Sequence, residues 1–379
     1  MSEPADSWVS AAVASSRLGI RPQTLYAYVS RGLLNPRREG RRSYFSVKEL
    51  EQLEPKAKRS LRPGRVDVEI DSAVTLIDPA GRLFYRGVDI VGIATEWSFE
   101  RTAEWLWTGA DHGEPRLWPV AADMKVSGRT LPDRLRFAVA MLSASAPEVD
   151  SRLEVATTIG RKLLPQLVAA LPPVGEVRKE GRAALASQLW PRLSALPATR
   201  ARLAALNCAL IVLADHELVP STIAARVAAI AKAPPTDAVL AAMSTHAGVV
   251  RHGFRTWIED ALRSGSEPPG AYDHSAYRER DPRADVLVPL IKAAATKSGW
   301  LRVQLALTDE RPPTADLAVA ALSVACEMVP AAAEAIYTIA RVAGVLAHIA
   351  EEYERPSLLH LRVGYRGPAL EDGQGTPPS

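Results

Sequence analysis

The chain has 379 residues, 47% hydrophobic and 23% charged, which excludes a disordered protein and exceeds what one ordinary core holds. Its net charge of +3 is uneven: residues 1–60 carry eleven Lys/Arg against six Asp/Glu, and the remainder 35 against 37, so a basic head suited to meeting an anion precedes a near-neutral body. Two cysteines, Cys208 and Cys326, exclude a disulfide framework; the start MSEPADSWVS has no signal-peptide pattern and no stretch approaches bilayer length, so a cytoplasmic location and no membrane partner are expected.

Residues 8–55 read as a compact unit. Val9, Ala12, Val13, Leu18 and Ile20 predict a first helix and turn, with Gly19 at the bend. Thr24–Val29 predicts a second helix, with Pro22 near its first turn and Gly32 ending it. Arg37, Arg38, Arg41 and Arg42 flank a Gly-containing turn, Tyr44–Val47 returns as a short strand, and Val47–Leu53 turns helical. Helix, tight turn, helix and basic hairpin is the plan of a winged helix-turn-helix. Through LGIRPQTLYAYVSRGLL and RRSYF, this head (1–55) resembles the helix-turn-helix of the MerR type. The resemblance implies DNA as a partner, with Arg21, Thr24 and Tyr26 at base edges, beside Gln23 and Tyr28, and Arg41 and Arg42 at phosphates. The same face, with its two tyrosines, equally suits docking on the body or on another subunit.

Residues 56–65 form a basic, Pro-bounded linker. Val66–Ile77 alternates like strands and leads into a turn at Pro79-Ala80-Gly81. From Phe99 onward the pattern is helical, with Ala-rich runs at 133–145, 152–172, 182–194, 199–215, 220–232, 238–263, 284–297, 315–328 and 331–353. The expected fold class is therefore mainly α. Residues 369–379 read as a disordered tail.

No P-loop, dinucleotide fingerprint, zinc spacing or Gly-x-Ser-x-Gly elbow occurs. The candidates for chemistry are polar residues in apolar text: Asp215-His216-Glu217, His246, His252, His274, the Asp281-Pro282-Arg283 turn, Asp316 and Arg341. Each has a plain reading. A lone histidine is more often structural than catalytic. Asp316 suits the first turn of a helix, and Arg283 suits a solvated turn. Arg341, inside AIYTIARVAGVLAHIA, is the hardest to explain structurally, because a buried arginine needs a partner.

Six segments in order carry a second resemblance: IDPAGRLFYRGVDI with SFERTAEWLWTG, ADHELVPSTIAARVAA, PPGAYDHSAYRERDPRADVL, PPTADLAVAAL, IARVAGVLAHIAEEYERP and LLHLRVGYRGP. Together they resemble the citrate synthases, from the opening hairpin to the C-terminal segment, over residues 66–368. The resemblance implies large and small helical domains, the small one at approximately 220–315, in a homodimer. It implies condensation of acetyl-CoA or another short acyl-CoA with oxaloacetate or a related 2-keto acid, CoA being a co-substrate and no cofactor being permanently bound. It assigns Asp316 as the base, His252 as the donor to the enol oxygen and His274 as the acid at the ketone. His216, Arg283, Arg341 and Arg362 would hold substrate carboxylates, for which a guanidinium fork is suited.

The chain departs from that pattern. The usual GPLHGG loop reads Val249-Val250-Arg251-His252-Gly253-Phe254, and the HRVY arginine is Ser275. His246 rivals His252 for the loop histidine, and only 22 residues separate His252 from His274, so small-domain helices are trimmed. An early HPM segment is Leu131-Pro132-Asp133, and His360 stands where the family places an arginine, with Arg362 two residues on. Two other readings stay open: a DNA-binding regulator that uses the synthase body as dimeriser or sensor, and an inactive paralogue.

Overall fold

The computed structural model describes residues 8–18, 25, 29, 34–39, 42–47, 49–50, 70–113, 117–145, 154–247, 253–268, 270–272, 274, 276–277 and 279–357. The chain divides into two compact units, Met1–Ile70 and Asp71–Ser379.

In the first unit, β1 (Trp8–Ser10) leads into α1 (Ala11–Leu18), and β2 (Arg37–Glu39) and β3 (Arg42–Ser46) form a hairpin. The sheet order is β1-β3-β2, antiparallel throughout, with Val9 opposite Phe45 and Arg38 opposite Ser43. The basic hairpin is as the sequence predicts. The strand Trp8–Ser10 is not: three residues are too few to show alternation, and their pairing partner lies 36 residues on. Ala14, Leu25, Leu34, Phe45 and Leu50 are buried together, enough to close a small core around the hairpin. Glu49 accepts hydrogen bonds from the backbone N–H (2.9 Å) and side-chain amide (3.1 Å) of Asn35, tying the loop before the hairpin to the chain after it.

The second unit opens with an antiparallel meander, β4 (Thr75–Ile77), β5 (Leu83–Tyr85) and β6 (Val88–Asp89). The predicted turn closes it: Gly81 N–H donates to the Asp78 carbonyl (2.8 Å) and takes φ +79°, where glycine carries no Cβ penalty. Helices follow almost without break: α2 (Ile90–Ile93), α3 (Phe99–Thr108), α4 (Leu131–Ala144), α5 (Glu154–Ala169), α6 (Leu185–Leu193), α7 (Arg200–Val212), α8 (Pro220–Ile230), α9 (Pro235–His246), α10 (Phe254–Ser264), α11 (Pro282–Ala294), α12 (Lys297–Val303), α13 (Ala315–Ala325) and α14 (Ala332–Glu354). Capping residues set many of the starts: the side chains of Ser98, Thr130, Thr199, Asp281, Thr296 and Thr314 each accept a hydrogen bond from an early N–H of the helix they open. Leu131-Pro132-Asp133 is one such start, for Thr130 and Asp133 form a capping box while Leu131 and Pro132 are buried. The run read as one helix over 238–263 is two, α9 and α10, and the segment carrying His252 falls between them.

Helix α14 is the axis of the body. Nearly all of it is buried, as an apolar-all-round helix must be. By length and composition alone it could cross a membrane, contrary to the expectation from sequence; its apolar window lies wholly inside the body, as in a core helix. Gly344 lets it approach the Asp215 loop: a Cβ there would lie 2.3 Å from Asp215 Oδ1 and 2.5 Å from the Ala214 carbonyl. The polar residues that α14 carries, Glu334, Arg341, His348 and Glu352, are buried too, so each must find a partner or cost stability.

Candidate active site

The loop after α7 turns sharply at Glu217, which takes φ +50° and accepts the Ile77 N–H (2.8 Å), pinning the loop to the meander. Asp215 and His216 are thereby fixed beneath α14. Asp215 is fully buried and accepts from Thr75 Oγ1 (2.6 Å) and His348 Nε2 (3.0 Å). His348 Nδ1 lies 3.2 Å from Arg226 Nη1, which can only donate, so Nδ1 accepts and Nε2–H serves Asp215.

His216 Nε2 is 3.0 Å from Tyr277 Oη, and its ring centroid is 5.0 Å from that of His274. The Ala276 N–H donates to His274 Nδ1 (3.2 Å), so a neutral His274 carries its hydrogen on Nε2, as an acid or hydrogen-bond donor requires. Three short segments are knit around these rings. Thr314 Oγ1 donates to the Ala271 carbonyl (2.7 Å). Asp281 takes the Arg283 fork through both oxygens (2.9 and 2.8 Å) and also accepts the Ala315 N–H (2.8 Å). Arg283 lies 5.1 Å from the Tyr277 ring centroid and is only 4% exposed, so the solvated-turn reading fails: Asp281 and Tyr277 bury it.

Arg341 is 5% exposed. Its nearest carboxylate oxygen is Asp215 Oδ1 at 3.5 Å, and neither Nε, Nη1 nor that oxygen has a hydrogen-bond partner among the described residues. With Ser221, Met243, His246 and Tyr337 it lines a cavity of about 20 Å³, room for one water. Asp316, second residue of α13, forms a 2.6 Å ion pair with Arg255 of α10 and couples electrostatically to Arg283. The histidine, arginine and aspartate positions picked out in the sequence at 216, 274, 283, 316 and 341 are thus brought into one region of the body. His252 and Arg362 lie outside the described residues, as do His360, Ser275, Arg21, Gln23, Thr24, Tyr26, Tyr28 and Arg41; Arg42 is described only by its backbone, in β3.

Burial first, then the cations Arg283 and Arg341 and the neighbouring His274, hold His216 well below the ordinary histidine value of 6.5. The folded protein therefore binds this proton more weakly than the unfolded chain. The resulting stability is complete above pH 6.5 and is lost as pH falls through the folded value. His216→Gln is expected to flatten the decline of Tm below pH 6.5; an unchanged decline would assign the acid sensitivity to other groups.

Sequence reasoning passed over three residues here. Tyr277 holds the tyrosine position of the HRVY segment, a usable signal. Arg255 and Glu334 gave none: only in the fold are Arg255, Ile258, Glu259 and Leu262 buried together, so that charges lie on the inward stripe of α10.

Residues 67–256 and 249–362 match the family model described as citrate synthase, C-terminal domain, and residues 10–54 match that of the MerR HTH family regulatory proteins. A citrate synthase of Haloferax volcanii is 24% identical over 356 residues, covering 78% of this chain and 93% of that protein. Citrate synthase 2 of Bacillus subtilis is 28% identical over 189 residues, 43% of this chain; the match spans about half (51%) of that relative's length. Among solved structures, citrate synthase from Thermoplasma acidophilum in ternary complex with carboxymethyl coenzyme A and oxaloacetate superposes with a TM-score of 0.60 at 19% identity, over 83% of this chain and 97% of that one. Citrate synthase from Pyrobaculum aerophilum gives 0.54 at 18% identity, over 90% and 97%.

Proposed function

The chain belongs to the citrate synthase family, and we propose that it condenses a short acyl-CoA, acetyl-CoA foremost, with oxaloacetate or a related 2-oxo acid. The observation that carries this reading is Arg341, a buried guanidinium whose Nε and Nη1 find no hydrogen-bond partner among the described residues, beside His216, His274 and Arg283. A buried cation so placed is costly, and the carboxylate of a bound 2-oxo acid would complete it. Asp316 takes a proton from the acyl α-carbon while His252 donates to the thioester oxygen, giving an enol. The enol carbon attacks the ketone carbon; the enol hydroxyl proton returns to His252 as the thioester carbonyl re-forms, and His274 Nε2–H gives its proton to the ketone oxygen as the new carbon–carbon bond forms. Water then cleaves the thioester and CoA leaves. Arg283, Arg341 and Arg362 hold carboxylates. Closure of residues 220–315 over the rest excludes water, in a cytoplasmic homodimer. The test is release of CoA thiol from acetyl-CoA and from propionyl-CoA in the presence of oxaloacetate. Oxaloacetate-dependent release is expected from at least one; none from either would leave the inactive-paralogue reading in its place.

The head supports a second, compatible reading as a DNA-binding module. What favours it is the pair Arg37 and Arg38, both exposed on the β2–β3 hairpin, where phosphates would meet a wing. Binding to duplex DNA is expected to weaken steeply between two salt concentrations, through counterion release, and to weaken further when Arg41 and Arg42 are changed to Ala. No binding at low salt would leave the head as a docking domain.

A further inference from the structure

The carboxylate assigned as the base does not stand alone. Arg255 Nη2 is 2.6 Å from Asp316 Oδ1, and Nη1 of the same guanidinium is 3.2 Å from Glu334 Oε1 and 3.3 Å from Oε2. The guanidinium carbon lies 3.4 Å from the centroid of the Tyr337 ring, so the planar cation is clamped between two carboxylates at its edge and an aromatic ring on its face. Arg255 is 1% exposed and Glu334 0%, so water screens neither. His246 closes the cluster, its Nε2 2.6 Å from Glu334 Oε1 and its ring stacked on Tyr337 at 4.7 Å.

We propose that Arg255 is a positioning residue for the condensation proposed above: it fixes the Asp316 carboxylate through one oxygen and keeps it ionised, at the cost of basicity. The inference rests on the reading of Asp316 as the base. Its physical ground is that a cation within hydrogen-bond distance favours the charged form of a carboxylate, typically by about 1–3 pH units. The charged and titratable groups packed near Asp316 act in both directions. Arg255 from α10 and Arg283 from α11 favour ionisation, whereas Glu334 and Tyr337 from α14 do not, and His246 from α9 spends its contact on Glu334. Of these groups Arg255 touches Asp316 directly, at 2.6 Å, and acts on it from the shortest range. An ionised but weakened base remains ready at low pH and removes a proton less forcefully, which favours acyl-CoA substrates with the more acidic α-hydrogen.

The test compares the full-length wild type with Arg255→Gln and Arg255→Lys by two readouts: the acid limb of kcat/KM against pH, and the titration of the Asp316 side-chain carbon in 13C-aspartate-labelled protein, its resonance identified by loss in Asp316→Asn. In Arg255→Gln both midpoints are expected to rise by about 1–3 units, since the cation is gone and Glu334 stays. Arg255→Lys, which restores the charge, should bring them back toward the wild type. Should Arg255→Gln fail to fold because Glu334 is left uncompensated, the double variant Arg255→Gln/Glu334→Gln removes both charges and must still show the upward shift. Equal midpoints in wild type and the Gln variants would overturn the proposal. Loss of turnover in the wild type itself would overturn the reading on which it rests, and the carbon titration, which needs no turnover, separates that outcome from a failure of Arg255 to hold Asp316.

Discussion

Asp316→Asn is expected to lower kcat for CoA release by about two to four orders of magnitude, the range that removal of a general base usually costs. The side chain keeps its size, so the start of α13, capped by Thr314 and tied to Asp281 through the Ala315 N–H, should be kept. Arg255 also retains Glu334 as a partner, and circular dichroism should show a folded protein. The Michaelis constant for the 2-oxo acid should change far less, because its carboxylates are assigned to arginines rather than to Asp316. A variant of unchanged kcat would show that another group takes the proton. In that event His246, paired with Glu334 beside the cavity that Arg341 lines, becomes the first alternative.

Those residues were legible because the chemistry forces polar side chains into otherwise apolar text. Asp316 and Arg341 interrupt helices that would otherwise be pure core, and His216 sits between two apolar helices. Arg341 in particular had no structural explanation in the sequence, and among the described residues it remains without a full set of partners. Arg255 was not legible. FRTWIEDALRS reads as an ordinary amphipathic helix with a charged outer face, and only the packing of α10 against α13 and α14 turns Arg255 and Glu259 inward. The division of 238–263 into two helices was missed for a related reason: Ala and Val on both sides keep helical periodicity running, although among the described residues one helix ends at His246 and the next begins at Phe254. The strand Trp8–Ser10 depends on a partner distant in sequence, and no local pattern specifies such pairing.

The largest stability effect is expected at a position that touches none of the proposed chemistry. Arg226 of α8 is 2% exposed; its Nη1 lies 2.6 Å from Glu351 Oε2 and 3.2 Å from His348 Nδ1, and its Nη2 lies 2.7 Å from Glu352 Oε2. Glu351 in turn accepts the Ser72 hydroxyl (2.8 Å) and the Ala73 N–H (2.6 Å), so the guanidinium joins the start of the body to the end of its central helix. Arg226→Met keeps most of the volume and removes the charge. The fully buried Glu352 and the half-buried Glu351 would then face each other without a cation, and His348, which orients Asp215, would lose its donor. Breaking one side of a buried pair usually costs about 3–5 kcal/mol, more than the pair itself contributes, because the remaining charge is stranded. Chemical denaturation should show a loss of that size in the transition of the body. Changing Glu352 to Gln together with Arg226→Met should recover part of it by removing one stranded charge, and a single variant as stable as the wild type would show that water reaches these carboxylates.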